Sequence, residues 1–434
     1  MDETTTAPER GAWFDDARFG MFIHWGPWSA RGFEPSWPLV GGVSAFPDGQ
    51  STTVEDYYRD HMAWNPPAGG PATWAKAAKA AGMGYAVLTT KHHDGYTLFP
   101  DDTPGTFGVS QGATSGRDLV AEYVDACRAE GLRVGLYLSL PDWHHPDYPA
   151  WADTDQPYQF NLRRGSNEQW ARWRGVFLAQ LEHLLSAYGQ IDLLWFDGGW
   201  ERSAKEWGSA EIEALIYRCQ PEIIVNERLT GMAGYSSPEQ ALPAGTDPAT
   251  AGRWETCMTM HHSWGPVEAG RRKSSLELLW TLAETVGLGG NLLLNLSPDG
   301  DGGILDWQGA RLEDLAAWWS RGGHVDAIRG AGPSGLERSQ WDGPTTSAGE
   351  QRTFLFCPSR PQGVTVLRGV RAARIERITA LGSGVEIPFE PRLAALDRIL
   401  NNADPLCDVI IEPSEDALDP TMTVLELHTT RRLA

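Results

Sequence analysis

For about three hundred residues one strand-like run follows one helix-like run, and this order constrains the fold more than any other feature. The strand-like runs are "GMFIHWG" (20–26), "YAVLTTKHHDG" (85–95), "LRVGLYLSL" (132–140), "IDLLWFDGG" (191–199), "EIIVNER" (222–228) and "NLLLNLSPDG" (291–300). Several are apolar runs that close on polar residues. Between them lie helical stretches such as "WAKAAKAAGM", "DLVAEYVDACRAEG" and "NEQWARWRGVFLAQLEHLLSAYG". The last opens with Ser166 and Gln169 in capping-box spacing, carries Trp170, Trp173, Phe177, Leu181, Leu184 and Tyr188 at helical intervals, and stops at Gly189. Strand-then-helix order repeated this often predicts an α/β fold with a parallel sheet, and the number of units predicts a (β/α) TIM-like barrel. A doubly wound sheet is the alternative, but no GxGxxG follows the first strand.

Beyond "GHVDAIRGAGPSG" the texture changes. Short β-type runs, "RTFLFCPS", "VTVLRG", "RIERITAL", "DVIIEPS" and "MTVLELH", are separated by turn residues, with one short helical candidate at 391–401. This pattern predicts a small C-terminal antiparallel β-sandwich. The expected division is therefore a barrel over residues 1–334 and a sandwich over 335–434, the sandwich acting as a brace.

Composition narrows the partners. A formal charge of −21 argues against nucleic acid and anionic membranes, which are bound by clustered Lys and Arg. The N-terminal "MDETTTAPER" has no apolar core, and no segment is a membrane span, so a cytoplasmic location is expected. Five scattered cysteines, with no CxxC spacing, imply neither a disulfide framework nor a zinc site. The 20 tryptophans supply flat apolar faces that suit sugar rings as well as protein cores.

Barrel enzymes draw their catalytic groups from the C-terminal ends of several strands. Here those ends carry His24, His92 and His93, Asp197, and Asn226 with Arg228. Asp197 ends an apolar run and is followed by two glycines, which leaves three readings open: a helix cap, a metal ligand or a catalytic carboxylate. Neighbouring strand residues point to opposite faces, so His92 and His93 both turn inward only if the strand has ended. No HxH or HExxH spacing is present, which disfavours a metal. Glycoside hydrolysis needs a second carboxyl, and Glu239 and Glu255 on the following loops are the candidates.

Taken in order, "RFGMFIHWGPWS", "GYAVLTTKHHDGYTLF", "LRVGLYLSLPDWHHPDY", "LLWFDGGW", "VNERLTG", "RWETCMTM" and "GGNLLLNLSPDGDG" resemble glycoside hydrolase family 29, the retaining α-L-fucosidases, over roughly residues 11 to 333. The resemblance implies an irregular (β/α) barrel followed by a β-sandwich, and a fucosylated oligosaccharide or glycoconjugate as substrate, with no cofactor. It implies Asp197 as the nucleophile, His24, His92 and His93 as sugar-binding histidines, and Arg228 as the pocket arginine of a "VNDR"-like motif. The family's glutamate directly before Trp is matched by Glu34, although two residues separate it from Trp37. Trp143 fits an aromatic wall, and Tyr137 is a further pocket candidate. Glu239 in "SSPEQ" is the preferred acid/base, with Glu255 as the alternative or as pocket support. The acid/base is expected to carry the raised pKa while Asp197 stays ionised. An α-L-galactosidase and a non-catalytic fucose-binding protein are the competing readings, and a homo-oligomer is compatible with the sequence.

Overall fold

The structure, a computed structural model, describes residues 10–40, 52–148, 165–243, 252–358 and 365–433. Its main sheet contains seven parallel strands: β1 Phe19–Ile23, β2 Tyr85–Lys91, β3 Arg133–Ser139, β4 Leu193–Asp197, β5 Ile224–Val225, β6 Glu255–Thr259 and β7 Asn291–Leu296. They pair in the order β5-β4-β3-β2-β1-β7-β6, and two short strands, Tyr96–Thr97 and Phe107–Gly108, hang from the end of β2. The edge strands are joined through residues 235–239. Asn226 bridges Tyr235, Ser236 bridges Trp254 and Glu239 bridges Cys257, so an irregular segment stands where a regular barrel has its eighth strand.

Side-chain alternation sorts the barrel into two layers. In β4, Leu194 and Phe196 face the surrounding helices, while Leu193 and Trp195 face the barrel interior with Phe22, Tyr85, Val87, Tyr137, Cys257 and Leu293. Asp197 has the inward parity of Leu193 and Trp195. Strand β6 was absent from the apolar runs of the sequence because its inner face carries Glu255 and Cys257 and its outer face Thr256 and Met258. Helix Asn167–Ser186 starts on the expected capping box: Ser166 accepts the Gln169 N–H and Gln169 accepts the Ser166 N–H. Such a cap stabilises a helix end by about 1 kcal/mol.

The C-terminal region builds two antiparallel sheets. The first pairs β8 Gly332–Pro333, β9 Thr345–Ala348, β10 Arg352–Pro358, β15 Met422–Thr429 and β12 Ile375–Ala380 in that order. The second pairs β11 Thr365–Val370 with β14 Cys407–Ile411 and β13 Phe389–Arg392. Strand β13 escapes the sequence patterns because it is an exposed edge carrying Pro391, a residue tolerated only at edges. The helical candidate at 391–401 shrinks to Ala395–Ile399. In β10 and β15 both faces are covered. Phe354, Phe356, Met422 and Val424 join the core outside the barrel, whereas Leu355, Cys357, Leu425 and Leu427 pack against the second sheet. The Trp318 indole N–H donates to the Met422 carbonyl (2.8 Å) and the Thr346 hydroxyl to the Ala327 carbonyl (2.6 Å), which pins the sheet to the barrel helices. No helix among the described residues is long and apolar enough to cross a membrane.

Candidate active site

At the C-terminal ends of the strands lies a pocket of about 400 Å³ lined by Phe22, His24, Trp37, His92, His93, Tyr137, Trp195, Asp197, Trp200, Arg228, Glu239, Cys257 and Trp264. A wider cavity of about 1000 Å³ opens beside Ile223, Val225 and Arg253, at the opposite ends of the strands, where barrel enzymes do not place their chemistry.

Two local devices bring the histidines in. The register between β2 and β3 slips between Thr89 and Lys91. Lys91 therefore points outward to Gln180 Oε1 (2.9 Å) and Asp142 Oδ2 (3.5 Å), and His92 turns inward. The strand ends at Lys91, so His93 is free of the alternation and also faces the pocket. After β4, Gly198 takes a left-handed φ of 82°. At Gly199 a β-carbon would stand 1.9 Å from the Arg228 carbonyl oxygen, so only glycine lets the two loops meet.

Asp197 is neither a cap nor idle. Its Oδ1 accepts Arg228 Nη1 (2.9 Å), and its Oδ2 accepts the Tyr137 hydroxyl (3.1 Å) and faces His93 Nε2 at 3.5 Å. Burial alone would raise its pKa, but Arg228, followed by His93, overcomes it and holds the carboxyl well below the usual range. Arg228 spans two carboxylates, because its Nη2 donates to Glu239 Oε2 (3.0 Å) and also to the Ser237 carbonyl (3.0 Å). Its Nε donates to the Ser237 hydroxyl (3.1 Å), and its plane lies 4.5 Å over the Trp195 ring. Burial works against this cation, yet the carboxylates of Asp197 and Glu239 keep it charged. Burial and Asp197 together raise Tyr137, which stays a phenol and a donor.

The hydrogen-bond network fixes what two histidines offer. Asn295 Nδ2 donates to the Trp264 carbonyl (2.9 Å), so its Oδ1 accepts from His24 Nδ1 (2.7 Å). Burial lowers the His24 pKa to about 4, which leaves a neutral ring whose Nε2 lone pair accepts a hydroxyl. His92 is the converse. Ser36 Oγ accepts the Asp94 backbone N–H (2.9 Å) and gives its own proton to His92 Nδ1 (2.6 Å), so Nε2–H donates. Burial, with His93 and His24 beside it, keeps His92 neutral. Ser36 reaches this position at a φ of 61°, rare for a residue with a β-carbon, and its N–H donates to Tyr57 Oη (3.0 Å). His93 Nδ1 pairs with Ser139 Oγ (2.7 Å), which itself donates to the Pro141 carbonyl (2.8 Å).

Three expected pocket residues stand one layer back. Glu34 is fully buried and lies outside the lining: its carboxylate accepts the Ser263 hydroxyl and the N–H groups of Trp264 (3.0 Å) and Gly265 (3.4 Å), so it positions Trp264. The two-residue gap of "EPSW" accounts for this, since it sends Ser36 to His92 and Trp37 to the pocket. Trp143 packs edge-on against Trp37 (5.9 Å) and over His93 (5.1 Å), with its indole N–H on Glu201 (3.2 Å). Glu255 lies inside the barrel, where it accepts from the Tyr85 hydroxyl, Trp195 Nε1 (3.3 Å) and the Tyr235 hydroxyl (3.3 Å). Burial raises its pKa to about 7, but it does not line the pocket. Phe22, Trp37, Trp195, Trp200, Cys257 and Trp264 went unassigned from sequence. Parity with Asp197 would have found Trp195, while Trp264 is held by backbone hydrogen bonds to Glu34 and Asn295, far apart in the chain, and packs on Phe22 and His24.

The alpha-L-fucosidase family profile matches residues 2–324. Tissue alpha-L-fucosidase of Mus musculus is 31% identical over 97% of this chain and 91% of its own length, and that of Homo sapiens is 31% identical over 86% and 80%. Among solved structures, alpha-L-fucosidase isoenzyme 1 from Paenibacillus thiaminolyticus aligns with a TM-score of 0.81 at 35% identity, covering 97% of this chain and 99% of that one. The resemblance seen in the ordered motifs thus extends over nearly the whole chain, and the chain belongs to the α-L-fucosidase family, glycoside hydrolase family 29.

Proposed function

We propose that the chain removes terminal α-L-fucose from oligosaccharides or glycoconjugates with retention of configuration, Asp197 acting as nucleophile and Glu239 as acid and base. The observation that carries this reading is the Arg228 guanidinium, which holds Asp197 and Glu239 on its two terminal nitrogens at the mouth of one pocket. Retaining enzymes need two carboxyl groups about 5 Å apart across the scissile bond, and a shared guanidinium supports such closeness. Asp197, kept ionised, attacks C1 of the sugar while Glu239 passes a proton to the departing oxygen. The C1–O bond to the leaving group breaks as the C1–carboxylate ester forms. Water, deprotonated by Glu239, then attacks C1, frees Asp197 and restores the α configuration.

The surrounding residues serve recognition. His24 accepts one hydroxyl proton, His92 donates to another hydroxyl, and Tyr137 orients Asp197. Phe22, Trp195 and Trp264 supply apolar faces for the ring and the C6 methyl. Glu34, Trp143 and Glu255 act through the residues they hold. We assign the catalytic work to residues 1–334, with 335–434 as a brace that secures the barrel helices.

The test is hydrolysis of 4-nitrophenyl α-L-fucoside by the wild type, Asp197→Gly, Glu239→Ala and Glu255→Ala, each with and without azide. The expected result is loss in the Asp197 variant with rescue to the β-fucosyl azide, and rescue of the Glu239 variant to the α-azide. An Asp197 variant with wild-type turnover, or α-azide formation by the Glu255 variant alone, overturns the assignment.

A further inference from the structure

Among the described residues, seven large apolar side chains are exposed, and of these Trp200 alone lines the pocket. It is 55% exposed, although the residues on either side are buried and anchored. The Gly199 carbonyl accepts both the Trp207 indole N–H (2.8 Å) and the Thr230 hydroxyl (2.6 Å), and its α-carbon is wedged against the Arg228 carbonyl. Glu201 is 2% exposed and takes the Trp143 indole N–H and the Tyr148 hydroxyl. The backbone on both sides of Trp200 is thus held, and its indole meets the His93 ring edge-on (6.2 Å) while more than half of the residue stays in solvent. Leaving an aromatic face in water forgoes roughly 25 cal/mol for each Å² that burial would remove, so an exposed tryptophan on an anchored turn at a pocket is best accounted for by a ligand that covers it.

The position says which part of the ligand. His24, His92, His93, Tyr137, Trp195 and Trp264 are buried and close the floor, whereas Trp200 and Glu239 are the exposed members of the lining. In the mechanism proposed above, Glu239 protonates the oxygen that departs. The group attached to that oxygen therefore leaves past the rim where Trp200 stands.

We propose that Trp200 is the platform of a leaving-group subsite, and that it takes a hexopyranose ring by stacking against the ring's apolar face. The inference rests on the fucosidase reading and adds the class of the aglycone: a sugar ring, not the small hydroxyl side chain of an O-fucosylated peptide. The indole surface supplies apolar contact without demanding a particular hydroxyl pattern.

The experiment compares the full-length wild type, Trp200→Ala and Trp200→Phe on two substrates. One is α-L-fucosyl fluoride, whose leaving group is too small to reach the subsite. The other is a disaccharide of α-L-fucose on a hexopyranose. For Trp200→Ala we expect kcat/KM on the disaccharide to fall by about tenfold, the upper end of what one aromatic stacking contact supplies. The phenylalanine variant should recover most of this, and the fluoride should stay within about twofold for all three proteins. Equal losses on both substrates would move Trp200 into the fucose site and overturn the proposal, as would a disaccharide rate indifferent to the substitution. Wild-type turnover of the fluoride keeps the two claims separate: if the wild type is inert on both substrates, the fucosidase reading fails and the subsite falls with it.

Discussion

Changing Asn295 to Asp tests whether the pocket depends on a neutral His24. The amide accepts His24 Nδ1 at 2.7 Å with both residues buried, and the His24 pKa is held down at about 4. A carboxylate keeps an acceptor at Nδ1 but adds a negative charge in contact with the ring. An opposite charge within about 4–6 Å moves a pKa by about 1–3 units, so the His24 pKa should rise into the range of about 5 to 7. Each unit is about 1.4 kcal/mol in favour of the imidazolium. Once protonated, Nε2 becomes a donor and no longer accepts the sugar hydroxyl. The assay is the pH profile of kcat/KM on 4-nitrophenyl α-L-fucoside from pH 4 to 8, with circular dichroism to check that the variant is folded. The variant should lose activity on the acid side at about tenfold per pH unit below the new pKa, while approaching a plateau above it. A folded Asn295→Asp enzyme whose profile superimposes on that of the wild type would refute the tautomer assignment.

Further expectations concern the supports. Lys91 is buried against Gln180 and Asp142, and Asp142 Oδ1 in turn accepts the His144 (3.3 Å) and His145 (3.0 Å) N–H groups. Lys91→Met leaves a buried carboxylate without its cation and should cost about 3–5 kcal/mol in urea unfolding; a loss under about 1 kcal/mol would mean that solvent reaches Asp142. Gly199→Ala forces its new methyl against the Arg228 carbonyl, so stability should drop by about 1–3 kcal/mol and activity with it; an unchanged melting temperature would contradict the close approach. Burial lowers His24, His261 and His324 to about 4, so the unfolded chain binds more protons than the native one between about pH 6.5 and 4. Stability from these groups is present above pH 6.5 and is lost as pH falls through 4. Glu255, raised to about 7, has the opposite sign: its contribution is full below its unfolded pKa and fades as pH rises through 7. The melting temperature should therefore fall as pH drops from about 6.5 to 4, the three histidines outweighing the opposite slope of Glu255 in that range, and should level off above 7; a flat profile between pH 4 and 6.5 would show that these histidines are solvated.

What the sequence revealed depended on whether a residue's surroundings are local. The run "LLWFDGG" announces strand, parity and the abrupt polar end together, so Asp197 was legible. The histidine pair was legible as a question, and the answer, a register slip and a strand ending at Lys91, is a property of pairing with β3 that no periodicity encodes. Strand β6 was hidden because its inward positions are polar for the barrel's own network. The place of Glu34 was hidden for a related reason: a carboxylate near a loop tryptophan reads as a direct ligand contact, whereas the chain around residue 264 folds back onto it. Trp264 itself depends on partners more than two hundred residues distant for one contact and about thirty for the other.

The sheet that carries β10 and β15 also bears on how the molecule comes apart. Its alternate residues belong to two different cores, so neither core is complete without it. Cutting the barrel free would strand Phe354, Phe356, Met422 and Val424 on one side of the break and the apolar faces of the barrel helices on the other. Surfaces of that kind drive aggregation more readily than independent folding. The two halves are therefore coupled in melting as well as in assembly: heat should produce one cooperative transition, and catalysis should disappear with the sandwich even though none of its described residues lines the sugar pocket.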